Sequence, residues 1–105
     1  MENNTVYQRI KEKHPDWSDE QIWTAASLQM QADVVLDSHE EVSFEDPDIM
    51  ELIIRGAMEW LDEALPLIFE KVKQMFANLL QNLGAWIRKG WEYVMQIISK
   101  GFIYE

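Results

Sequence analysis

From Ile49 to Phe102 the chain places an apolar side chain every three or four residues, almost without interruption. That spacing gathers side chains on one side of an α-helix, whereas a strand needs a period of two. Arg55, Glu59, Asp62, Glu70, Lys73, Gln81, Arg88, Glu92 and Gln96 form a second row at helical spacing. This row marks the face turned to water. Half of the chain is thereby committed to amphipathic helix before any other feature is weighed.

Proline and glycine decide how that half is divided. Asp46-Pro47-Asp48 opens it, with Asp46 as the cap and Pro47 at the first helical position, where a missing N–H costs nothing. Pro66 removes a backbone hydrogen bond and kinks or breaks the helix. Gly84 and Gly90 each weaken the following stretch by about 1 kcal/mol relative to alanine. The pattern predicts a bent helix over residues 47–82 and a further helix over 85–99, with a single long rod as the runner-up. Gly101 then acts as a stop before the apolar tail Phe102-Ile103-Tyr104.

The first half carries start signals. Thr5-Val6-Tyr7-Gln8 fits a capping box, and Pro15 ends what it starts, which predicts a short helix over 5–13. Ser18-Asp19-Glu20-Gln21 is a stronger box, and Trp17 before it is placed to staple onto Ile22. A second helix is expected over 18–36. Its polar stripe is Glu20, Thr24, Ser27 and Gln31, with apolar residues around the remaining circumference. A helix of that kind is buried on more than one side. Ala25, Ala26 and Ala32 allow a neighbour to approach closely, and Asp33 shares the side of Ile22 and Ala26. Residues 37–46 form an acidic connection, in which Val42 and Phe44 alternate with polar residues as a brief extended piece would. The fold class expected is all-α: one domain over residues 1–105, either a small bundle or a helical hairpin, with a long kinked amphipathic C-terminal helix.

At 105 residues, 48% of them hydrophobic, the chain can bury one core. Five tryptophans are many for that length, so some aromatic surface is expected to meet another molecule. The start, Met1-Glu2-Asn3-Asn4-Thr5, has neither the basic nor the apolar region of a secretory signal. The longest uncharged run, Gln74 to Ile87, is interrupted by four amides and falls short of a spanning helix. A cytoplasmic location, or one within a virion or other assembly, is the expectation.

Charge narrows the partners. The net formal charge is −10, and eleven acidic residues fall between Asp16 and Ile54 with no Lys or Arg among them. Nucleic-acid affinity rests on neutralising phosphates with Lys and Arg, so direct nucleic-acid binding is disfavoured.

Signals for chemistry are weak. Cysteine is absent, which excludes disulfides, thiolate catalysis and cysteine zinc sites. Asp37, His39, Glu41, Glu45 and Asp48 share some of the spacing of a calcium loop. Val42 stands where its glycine belongs, however, and Asp48 where its glutamate belongs. A solvated acidic loop is the better reading. His14 and His39 lie in separate turns, Ser18 is committed to a cap, and the four glycines are isolated, so no phosphate loop forms. No catalytic residue, metal ligand or cofactor is expected, and the chain is not expected to be an enzyme.

What remains is binding. The leading expectation is a non-enzymatic structural or assembly protein that oligomerises or docks into a larger complex. Accessory and structural proteins of bacteriophages belong to that class. Its anchors are expected at Trp60, Leu61, Phe69, Phe76, Leu80, Trp86 and Trp91, because large aromatic and aliphatic side chains dominate interface energetics. A second reading uses the tryptophans and tyrosines of the C-terminal half, with its lysines and arginines, at a membrane interface. The mixed charge of that half makes it the weaker one. A third makes the chain an acidic inhibitor or nucleic-acid mimic, whose front half is a docking surface for a basic protein centred on Glu40, Glu41, Glu45 and Asp46.

Overall fold

In the computed structural model the described residues are 2–38 and 45–100, with side chains described from Thr5 onward. They form six helices and no strand: α1 (Glu2–Lys13), α2 (Asp19–Ser38), α3 (Pro47–Ala64), α4 (Pro66–Gln81), α5 (Leu83–Lys89) and α6 (Trp91–Ser99). The fold is an all-α small bundle.

α2 is the central element, packed by α1, α3, α4 and α6. Its entry follows the sequence signal closely. The Gln21 N–H donates to Ser18 Oγ at 3.2 Å, and the Ser18 N–H donates to Gln21 Oε1 at 2.6 Å. Both halves of the capping box are therefore made. Trp17 and Ile22 are buried in the same apolar cluster. Within the polar stripe, in contrast, Thr24 and Ser27 do not face water: both are buried, and their hydroxyls donate to the Glu20 and Thr24 carbonyls. Small size outweighs polarity here. A hydroxyl satisfied by its own helix backbone can line a close helix contact, while a bulky Val34 or Leu36 cannot fit every side. Asp33, expected to be partly buried, is exposed.

α1 begins earlier than its capping box indicated and runs through Thr5, so Thr5 is not its cap. It lies against α2 through buried Val6 and half-buried Tyr7 and Ile10. α3 starts as expected: Asp46 is extended, its carboxylate accepts from the Asp48 N–H at 2.9 Å, and Pro47 follows.

The segment 47–82 is two helices rather than one bent helix. A straight helix of that length would run about 54 Å at 1.5 Å per residue, whereas the longest extent of the molecule is 36 Å. The reversal sits at Leu65, which has φ −140° and ψ 68°, outside the helical region. Pro66 forces this, because its ring disfavours helical geometry in the residue before it. α4 then folds back against α3. The helix expected over 85–99 is likewise divided, at Gly90, whose φ of 66° and ψ of −156° belong to glycine.

Nine polar residues expected on the outer face, Arg55 to Gln96, are all exposed. Inside lie Ile53, Ile54, Ala57 and Leu61 of α3, Val72, Met75, Phe76 and Leu79 of α4, Trp86 of α5, and Val94 and Ile98 of α6. These meet Leu28, Ala25 and Ala32 of α2 in one continuous core. Gln21 joins the two ends of the chain within it. Its Nε2 donates to the Ile98 carbonyl at 2.7 Å, and this buried bond ties the start of α2 to the last turn of α6. Gln21→Leu is expected to cost about 2 kcal/mol, because it leaves a buried carbonyl and the Ser18 N–H without their partner. Chemical denaturation checks the loss, and faster amide exchange across α6 locates it. Unchanged exchange in α6 would show that the bond does not hold that helix.

Candidate functional site

Two aromatic contacts set the outer geometry of α1, α2 and α3. The Trp23 ring centroid lies 4.9 Å from that of Tyr7 and 5.7 Å from that of Trp60, so one indole bridges all three helices. The start of α2 therefore sits beside the end of α3, and the two run antiparallel. Closer to their middle, a Cβ on Gly56 would meet the side-chain amide of Gln31, so these two positions face each other across the pair. Tyr7 also donates through Oη to Asp19 Oδ1 at 2.7 Å. That bond, with some burial and the nearby charge, raises the Tyr7 pKa. The α1–α2 link is therefore complete while the phenol is protonated and is lost as alkaline pH ionises it.

On the other side of α2, Lys71 Nζ of α4 lies 3.3 Å from Glu20 Oε2. The backbone N–H of Glu20 holds its carboxyl below its usual range against the opposing effect of burial, with Lys71 and Ser18 adding to the lowering. This favours the folded state above the ordinary carboxylate pKa and is lost as pH falls through the lowered one. The pair is exposed enough that its contribution is small.

α1 has twelve residues and α2 has twenty. The excess of eight residues corresponds to about 12 Å of helix that α1 does not cover. Along it runs a groove of about 610 Å³. Thr5, Val6 and Arg9 of α1 line one side, Met30, Asp33, Val34, Leu36 and Asp37 the other, with Trp60 and Gln31 also contributing. Met30, Asp33, Val34 and Asp37 follow steps of three and four, so they share one face of α2. Val34 keeps 53% of its surface in water and Leu36 48%. No basic residue stands in the last turn of α2. Asp33 and Asp37 thus add their charge to the negative end of the helix dipole, where carboxylates are unfavourable.

The residues singled out from sequence as anchors separate into two groups. Leu61, Phe76 and Trp86 are buried inside the chain's own core, while Trp60, Phe69, Leu80 and Trp91 are half-buried at its margin. Trp60 reaches the groove; Trp91 packs edge-on to Trp86 with ring centroids 5.5 Å apart. Of the acidic set, Glu45 and Asp46 are exposed and Asp46 serves as the α3 cap, while Glu40 and Glu41 lie outside the described residues. So do His39 and Glu41 of the calcium-like spacing, and Val42 and Phe44 of the extended piece. Among the described residues no three His, Cys, Asp or Glu side chains gather as a metal site would need.

Sequence reasoning did not single out Val34, Leu36 and Leu67 as exposed. The signal was present for the first two: Val34-Val35-Leu36 is a run of three bulky residues, and a helix cannot turn three successive positions inward. Leu67, 81% exposed, falls in the first turn after Pro66 and is carried outward by the reversal at Leu65.

No family model, no curated protein and no solved structure matches the chain. No helix among the described residues is long and apolar enough to cross a membrane.

Proposed function

We propose that the chain is a non-catalytic assembly protein that oligomerises or docks into a larger protein complex through apolar side chains its own fold leaves uncovered. One observation carries this reading. Leu67, Val34, Leu52 and Leu36 are 81%, 53%, 49% and 48% exposed, although the rest of the apolar pattern supplies a continuous core. Single exposed leucines are common, but Val34 and Leu36 line the same groove as Met30 and Trp60. Apolar surface grouped in this way favours contact with protein.

Column light scattering at low and moderate salt tests the oligomer reading. A mass above the 12.4 kDa of one chain is expected, and salt should not lower it, since apolar contacts are not screened. Leu52→Ser combined with Leu67→Ser should return it toward one chain. A monomer at every concentration, unchanged in that variant, would remove self-association.

A further inference from the structure

We infer that the groove between α1 and the C-terminal half of α2 receives a basic amphipathic helix from a partner protein. This rests on the reading of the chain as a protein-binding component and specifies what one of its surfaces takes. Shape comes first: the groove continues the row that α1 occupies on α2, and the uncovered length matches about two helical turns. An incoming helix can lie there as α1 lies beside Trp23, with its apolar side chains on Met30, Val34 and Trp60, while Leu36 flanks the far side of α2. Helices in grooves are held in this way, through anchors at steps of three and four.

Charge comes second. Arg9 is the only cation among the described lining residues, against Asp33 and Asp37. Asp46 and Asp48, exposed at the start of α3, belong to the same end of the antiparallel α2–α3 pair. The dipole of α2 adds to this negative potential instead of offsetting it. A partner with Lys or Arg flanking its apolar stripe relieves that potential and is steered to the groove by it.

Third, a second copy of this chain is the poorer occupant. Each copy carries a net charge of −10, and its first helix, where Arg9, Lys11 and Lys13 only slightly outweigh Glu2 and Glu12, is already docked through buried Val6. The structure thus assigns the groove to a foreign, cationic helix.

The test uses the full chain and two synthetic helical peptides. One is built of leucine and lysine with apolar positions at three- and four-residue steps; its twin has glutamate for lysine. Fluorescence anisotropy of the labelled peptides should show the lysine peptide binding about tenfold or more tightly than its twin. Val34→Ser should weaken that binding about fivefold to tenfold, since Val34 is the most exposed apolar side chain on that face. Asp33→Asn with Asp37→Asn should weaken it about threefold to fivefold and flatten its salt dependence. Asp62→Asn with Glu63→Gln, exposed acids outside the groove, should stay within about twofold. All these side chains are exposed, and circular dichroism confirms that each variant folds.

Equal binding of the two peptides, no binding of either, or equal losses from the Asp62/Glu63 and Asp33/Asp37 pairs would overturn the inference. So would a dimer of the pure chain abolished by Val34→Ser, because a second copy would then fill the groove. A failure here with assembly still lost in the Leu52/Leu67 variant would leave the assembly reading standing.

Discussion

Trp86→Ala is expected to lower the unfolding free energy by about 3–5 kcal/mol, the range for removing a large aromatic ring from a packed interior. Trp86 is 1% exposed and is one of the largest fully buried side chains in the molecule. The substitution removes the ring, its edge-on contact with Trp91, and much of what holds α5 against the core. A domain of this size has only about 5–15 kcal/mol in total, so the variant should lose a large fraction of its stability. Urea denaturation at two protein concentrations reads the result. If Trp86 acts inside one chain, the loss is independent of concentration; if it were an intermolecular anchor, the loss would shrink on dilution. Trp91→Ala, at a half-buried position, should cost about 1 kcal/mol. A Trp86 loss no larger than that of Trp91 would contradict the packing described.

Two glycines six residues apart should respond with opposite sign. Gly90→Ala is expected to destabilise by about 1–3 kcal/mol, because its φ of 66° and ψ of −156° lie in a region open essentially to glycine alone. Space is not the obstacle: a Cβ there meets nothing within 4 Å. Gly84→Ala is expected to stabilise by about 0.5 kcal/mol, since Gly84 is helical in α5 and its Cβ would only graze Arg88 Nη1 at 3.4 Å. Thermal melts of the two variants beside the parent decide this. Stabilisation by alanine at both positions would mean that α5 and α6 run on as one helix.

The two break points were unequally legible. Pro66 announces itself, because the steric clash with Leu65 is local and needs no partner; only the size of the reversal was unreadable. Whether a proline bends a helix or ends it depends on what waits to be covered, and here the apolar face of α3 drew α4 back over it. Gly90 is ambiguous in sequence, since a glycine inside a helical pattern is tolerated as often as it is used. The caps at Ser18 and Asp46 were readable to the residue, as each is a bond between neighbours in the chain. Thr5 resembled them and was not one, because nothing ended the helix in front of it.

The groove was hardest to see. It arises from a difference in length between α1 and α2 and from which half of α2 the shorter helix covers. Neither quantity is local. The anchors expected at Leu61, Phe76 and Trp86 illustrate the same limit: periodicity identifies an apolar face but does not say whether the chain itself will cover it. In the α3–α4 hairpin it does.

The hydrogen bond from Gln21 to the Ile98 carbonyl spans 77 positions of the chain. Its consequence concerns the order in which the molecule can be completed. The capping box of α2 needs only its neighbours and can form early, whereas the second bond of the same side chain waits for almost the last described turn. Loop closure over that distance is entropically slow to establish. Until it happens, a polar group destined for burial remains hydrated, which holds the entrance to the core open. α6 thus closes the longest-range side-chain bond described onto the start of α2, and a chain ending short of Ile98 would leave the buried Gln21 amide without that acceptor.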